Sequence, residues 1–504
     1  MGFTREALAS GDSGCSTVWR LMHHDYEGCS NMAFLSPSND TRANLLLLMA
    51  DLRPARSGSS AKKDAPVADA PLFVWEQLSN RLEPQTVETA PAADDPFVQA
   101  VEADHELKPE ERDALVAARR ETRSGCAADA ASGAIAGAEK ATMAASAKGY
   151  ALYLEGAAEF WCSEYNKAAA TFSLLTNAHS AWVRETATYL IGRSLIDRAQ
   201  AGAFDQYGSL NKDWHADAKA VSGAEDALDK YLQQYPKGAY AQSARGLKRR
   251  GYWLEDNTGK LEEEYGALML MSPAERNVSD VELAEEIDNK LATPLDAYEG
   301  QGEGASRDAL LKGTQNPLLL AMLDLLAMRT AERTGAESES QGNHGISVSR
   351  AALEEQKPYF AAQMPLYEYL VAVHAFYVEN KPAEVLRLIP DAGRQGSFSY
   401  VQFSRQVLRG LALEAMKDRN ALGFWMQMLP GAKAAFERPA LELAIAYHEE
   451  RAGEIRNVFA ASSPVHYAYL REVLLANVAD AGLLRAQAEN ASAPPRERDI
   501  ALFT

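Results

Sequence analysis

Apolar residues recur along most of this chain at three- and four-residue intervals, the period of a helix that buries one face. Residues 41–52 (TRANLLLLMADL) form the sharpest short run, with Asn39, Asp40 or Thr41 placed to cap it ahead of the leucines. Residues 109–123 (PEERDALVAARRETR) open on proline and acids and close on arginines, the order that suits a helix dipole. Further helices are predicted over 150–164, 167–175, 182–199, 224–235, 239–255 and 260–271, and a short one from about 73 to 82. A second series is predicted over 364–379, 383–388, 399–416, 421–428, 439–451, 454–460, 465–478 and 481–489. Residues 317–328 (PLLLAMLDLLAM) read as a buried helix: the run holds Asp324 and falls short of the about 20 apolar residues that a membrane span needs. Strict alternation and Val/Ile/Thr clusters are scarce, so no β-domain is expected.

Between these runs lie stretches without period. Residues 53–70 and 89–96 are rich in proline, alanine and charge, 272–316 is acidic and holds glycines, and 330–350 (TAERTGAESESQGNHGISVSR) reads as a loop. They divide the chain into four segments: 1–95 with short helices and linkers, 96–271 as a helical array, 272–350 as an acidic connector with a buried helix near 317–330, and 351–504 as a second array.

The spacing within 148–270 carries a packing pattern. Gly156 stands twelve residues before Ala168, and Phe172 four after it. A small residue on one helix lets the next approach, and the aromatic closes the seam. Ala227, Tyr231 and Pro236 repeat the step from alanine to aromatic to proline, and Ala421, Trp425 and Pro430 repeat it again with the same spacing. The pattern resembles the tetratricopeptide repeat family. The piece 227–246 (ALDKYLQQYPKGAYAQSARG) is also similar to the repeats of periplasmic outer-membrane assembly lipoproteins and cell-division coordinators. The resemblance implies an all-α fold, an irregular tetratricopeptide-like α-solenoid of stacked helix pairs with long loop insertions. It covers about a quarter of the chain, and the second unit is interrupted by an insertion over 202–222.

Charge and composition narrow the functions. The 504 residues hold 51 Lys+Arg against 70 Asp+Glu, a formal charge of −19. That balance argues against nucleic acid or an anionic membrane as a main partner, and no direct membrane insertion is expected. The four cysteines, Cys15, Cys29, Cys126 and Cys162, form no metal-type CxxC pair. They read either as reduced thiols in a cytoplasmic protein or as two disulfides of a periplasmic one, with Cys15–Cys29 and Cys126–Cys162 as the shortest-loop choice among three connectivities.

Chemistry is sparse. Residues 22–30 (MHHDYEGCS) gather His23, His24, Asp25, Glu27 and Cys29, but adjacent histidines diverge, and a polar turn is expected there rather than a metal site. Glu155, Glu159 and Glu164 lie near Trp161 and Tyr165, though the first two are an ordinary i,i+4 pair on a helix. His374 reads as a core residue. Lys248-Arg249-Arg250 is a tight basic cluster suited to a helix C-terminus or an acidic partner. No HExxH, GxSxG, phosphate loop or dinucleotide motif occurs, so no catalytic residue and no cofactor is assigned.

The leading expectation is a non-catalytic scaffold that binds a protein or peptide partner, an envelope protein if the lipoprotein resemblance carries over. The groove residues expected from helix-A positions are Tyr153, Trp161, Tyr189, Arg193, Tyr231 and Tyr252. The alternatives are the helical superhelix of a cell-wall-acting enzyme, similar in architecture to soluble lytic transglycosylases, or a secreted effector. The closing run RERDIALFT reads as a helix that opens and stops, so the chain is expected to be a piece of a longer protein.

Overall fold

Several helices in this protein begin at a side chain that takes up an orphan N–H of the first turn, such as Asp40, Asp95, Ser180, Asp217 and Ser399. The computed structural model describes residues 31–52, 72–73, 95–122, 145–203, 211, 214–272, 276, 278–292, 313–333 and 348–504. Among them the chain is helical, apart from one antiparallel pairing of two-residue strands, β1 (Asn31–Met32) and β2 (Leu72–Phe73), with Asn31 opposite Phe73 and Met32 opposite Leu72. Phe73 is therefore extended rather than the start of a helix; the rest of the helix expected over 73–82 lies outside the described residues. Between the strands runs α1 (Thr41–Asp51), opened by Asp40, whose carboxylate accepts from the Arg42 backbone N–H and pairs with its guanidinium at 2.6 Å.

The chain forms two compact units, Thr86–Glu264 and Met1–Gln85 with Tyr265–Thr504. In the 86–264 unit, α2 (Pro96–Ala103) and α3 (Pro109–Thr122) are tied by Asp95, which caps α2 and pairs with Arg119 at 2.8 Å. Then follow α4 (Ala145–Trp161), α5 (Tyr165–Leu174), α6 (Ala181–Ala199), α7 (Ala218–Gln234) and α8 (Ala241–Leu254). One core gathers Phe97, Leu115, Tyr150, Leu154, Phe172 and Val183; a second gathers Tyr189, Ile196, Val221, Leu228, Tyr231 and Ala244.

The small-residue spacing works as a packing device. A Cβ at Gly156 would lie 2.8 Å from the Phe172 ring, so only glycine admits the aromatic there. Ala168 and Phe172 are both fully buried. The second unit departs from the expected step: Ala227 is half-buried, and Ala224 with Leu228 and Tyr231 takes the inward face instead. Tyr231 then anchors the following turn. Its hydroxyl donates to Glu185 Oε1 (3.0 Å) and accepts from the Tyr240 N–H (2.9 Å), while the same glutamate oxygen accepts from the Ala239 N–H (2.6 Å).

Helix α9 (Thr258–Leu270) runs across the boundary between the units in sequence. In the other unit, α1 packs against α10 (Asp280–Ile287), α11 (Pro317–Arg333) and, after α12 (Arg350–Gln356), α13 (Met364–Val373) and α14 (Pro382–Leu388), against α15 (Tyr400–Ala415). Leu45, Leu46, Leu47 and Leu48 are all buried, as a helix enclosed on every side requires. The Asp51 carboxylate at the end of α1 accepts the first N–H groups of α15, from Tyr400 (2.6 Å) and Val401 (2.7 Å). The Leu35 N–H donates to Ser404 Oγ (2.8 Å), and the Leu35 carbonyl accepts from the Tyr369 hydroxyl. Residues 35–51 of the N-terminal segment thus pack into this unit.

Helix α10 was hidden within an acidic window. Ser279 and Glu282 form a reciprocal capping box that starts it. Helix α13 ends in a wider π turn, His374–Val378, and the helix expected over 454–460 is a 3-10 stretch, Ile455–Phe459. Helices α16 (Ala421–Met428), α17 (Glu437–Arg451), α18 (Ala468–Asn477), α19 (Ala481–Glu489) and α20 (Pro495–Phe503) complete the chain, so the closing run does form a helix. Trp425 of α16 covers Gly410 of α15, where any Cβ would overlap the indole. Its Nε1 donates to Glu414 Oε1 (3.1 Å), which also meets His448 Nδ1 of α17 (2.7 Å).

Candidate functional site

The end of α4 exposes an aromatic cluster. Phe160 meets Trp161 edge-on with ring centroids 5.6 Å apart, and Tyr165, the first residue of α5, at 5.5 Å. Phe160 and Tyr165 are half-buried, whereas Trp161 is 55% exposed. An indole this exposed, fixed on its inner side by another ring, presents a rigid amphipathic surface of the kind that anchors interfaces.

Arg193 of α6 continues the patch, its guanidinium 5.4 Å from the Phe160 centroid. One turn on, Asp197 lies 3.9 Å from Arg193 Nε. Arg250 of α8 acts on both: burial lowers its pKa, Asp197 opposes that, and the like charge of Arg193 reinforces it. Burial raises the Asp197 carboxyl pKa, against the pull of Arg193 and Arg250. Trp161, Phe160, Arg193 and Asp197 therefore form a strip across α4 and α6, with Arg250 of α8 within electrostatic reach of its Asp197 end.

Of the six expected groove residues, Trp161 and Arg193 are exposed and belong to this strip. The other four are buried and are corrected to core positions. Tyr153 packs on Phe97 (5.5 Å) and Trp182 (5.0 Å), and burial pushes its hydroxyl pKa up to about 12. Tyr189 stacks on Tyr240 at 4.7 Å and bonds Ser243 Oγ at 2.7 Å. Tyr231 is the turn anchor already described, its pKa raised first by burial. Tyr252 lies against Lys260, with Nζ 4.8 Å from its ring centroid. A tyrosine satisfies its hydroxyl inside a helix stack as readily as at a surface, so residue type alone does not separate the two.

Arg250 was legible only as one of three consecutive basic residues. Lys248 pairs with Asp229, Arg249 is buried with Glu264 4.0 Å away, and Arg250 interacts electrostatically with Asp197 and Arg193 of α6. Glu159 accepts from Thr171 (2.7 Å) and Glu164 pairs with Lys167 (2.8 Å), so both hold α4 and α5 locally. His374 is buried with Nε2 3.0 Å from the Val348 carbonyl, and burial lowers its pKa. Cys162, next to Trp161, is disulfide-bonded. Cys15, Cys29, Cys126 and the His23–His24 region lie outside the described residues.

Among the described residues no group of three or more His, Cys, Asp or Glu side chains is placed to hold a metal ion, and no helix is long and apolar enough to cross a membrane. Comparison of the chain with protein-family models, with curated proteins and with solved structures finds no match.

Proposed function

We propose that this chain is a non-catalytic helical-repeat scaffold, an irregular tetratricopeptide-like α-solenoid, that binds a protein or peptide partner in the bacterial cell envelope. The observation that carries the reading is the exposed Trp161, held edge-on by Phe160 at 5.6 Å, with the Arg193 guanidinium over the Phe160 ring. Trp161 does not stand alone: with the half-buried Phe160 and Tyr165 it makes an exposed aromatic patch, the composition enriched at interface anchors. The disulfide at Cys162 supports an oxidising compartment, because such bonds are rare in the cytosol.

The test is quantitative capture from native cells by the tagged full chain, compared with Trp161→Ala and Arg193→Ala. Both side chains are exposed, so the fold is expected to survive either change. Loss of one reproducible partner in both variants supports the reading, and unchanged recovery overturns it.

A further inference from the structure

Arg250 is half-buried, and among the described residues its guanidinium makes neither a hydrogen bond nor a close ion pair, so its N–H groups are open to a ligand. Arg193 is little better served: its contacts are the Phe160 ring and a 3.9 Å approach to Asp197, longer than a hydrogen bond. Two cations from neighbouring helices thus share one carboxylate, leaving a local charge of about +1 in a chain of formal charge −19.

We infer that Arg193 and Arg250 form a site for the carboxylate of an acidic peptide segment, with Phe160 and Trp161 receiving an adjacent apolar side chain. The inference deepens the scaffold reading and rests on it. A guanidinium stacked on a ring keeps its N–H edges free, and those edges match a carboxylate in a two-bond fork. Asp197 sets the charge selectivity. It cancels one of the two positive charges, so a single carboxylate neutralises the site, while a phosphate dianion leaves it overcharged. The site holds only these two arginines, too few for a nucleic-acid backbone. The aromatic end supplies the apolar half of the contact, so the preferred segment places a large apolar residue beside Asp or Glu.

Asp197 is also the internal competitor for the two arginines. A ligand carboxylate displaces it, which gives a signature that a purely structural ion-pair cluster lacks: removing the Asp197 charge strengthens binding.

The probe is a short fluorescein-labelled peptide of alternating glutamate and leucine, with a glutamine-for-glutamate peptide of equal length as its partner. Anisotropy is measured on the full chain. The wild type is expected to prefer the glutamate peptide by about tenfold. Arg193→Gln with Arg250→Gln abolishes that preference, Arg250→Lys restores part of it, and Asp197→Asn increases it. Far-ultraviolet circular dichroism and unfolding midpoints check that each variant is folded. Equal affinity for the two peptides, absence of binding by both, or a preference that survives the double substitution overturns the proposal. Partner capture that still depends on Trp161 in such a case leaves the scaffold reading standing and removes only the carboxylate site.

Discussion

Phe172 occupies the space that a side chain on Gly156 would fill: a Cβ there would stand 2.8 Å from the ring. Alanine at Gly156 gains helix propensity, worth about 1 kcal/mol. It also forces Phe172 out of a fully buried position, and overpacking of this kind costs about 1–3 kcal/mol. Gly156→Ala is therefore expected to destabilise despite its propensity. Phe172→Ala is expected to cost about 3–5 kcal/mol. The double variant should lose less than the two single losses combined, because the clash disappears with the ring. Denaturant unfolding of all three checks this; strict additivity would contradict the contact.

The buried pair Asp324 and Gln356 predicts an inverted pH dependence. Gln356 Nε2 donates to Asp324 Oδ1 at 3.1 Å, while Asp324 Oδ2 and Gln356 Oε1 are buried without partners. A proton on the carboxyl removes the cost of a buried charge that only one hydrogen bond compensates. Burial raises the Asp324 pKa to about 7, and burial, with a smaller contribution from Asp51, raises that of Glu437 to about 7. Both groups hold protons in the fold that they release in the unfolded chain. Their stabilisation is full below about pH 4, is lost as pH rises from about 4 to about 7, and is then constant. Asp324→Asn keeps an acceptor for the Gln356 Nε2 hydrogen bond without the charge. It is expected to stabilise the protein relative to wild type at pH 8, by at most on the order of 3–4 kcal/mol, and to have little effect at pH 4. Equal unfolding midpoints of wild type and variant at pH 8 would contradict the neutral pair.

Reduction of the disulfide at Cys162 is expected to lower stability by about 2–4 kcal/mol. Thermal unfolding with and without reductant measures it, and non-reducing peptide mapping identifies the partner, Cys126 by the shortest-loop expectation. Unfolding midpoints insensitive to reductant, together with an unbridged Cys162 peptide, would contradict an oxidised state.

Much of the helical framework was readable because caps and apolar period are local. Ala421–Met428 and Ala481–Glu489 coincide with their predicted limits, and Asp480 caps the latter by accepting from Leu483. What escaped depended on distant partners. The Phe73 strand exists only through its pairing with Asn31, and α10 was masked by an acidic composition although Ser279 and Glu282 spelled out its cap. The burial of the tyrosines at 153, 189 and 231 is not legible from their spacing, because helix phase becomes definite only against a neighbour such as Trp182 or Tyr240. Arg250 stood apart from Lys248 and Arg249 for the same reason: a helix turns by about 100° per residue, so neighbours in sequence point in different directions.

The most direct test of the binding face is site-specific photocrosslinking in native cells. A photoreactive amino acid replaces Trp161 in one full-length variant and Leu502, 71% exposed on α20, in another. A discrete adduct to one partner protein is expected from position 161 and none from position 502. No adduct at 161, or the same adduct from both positions, would contradict the proposed binding face.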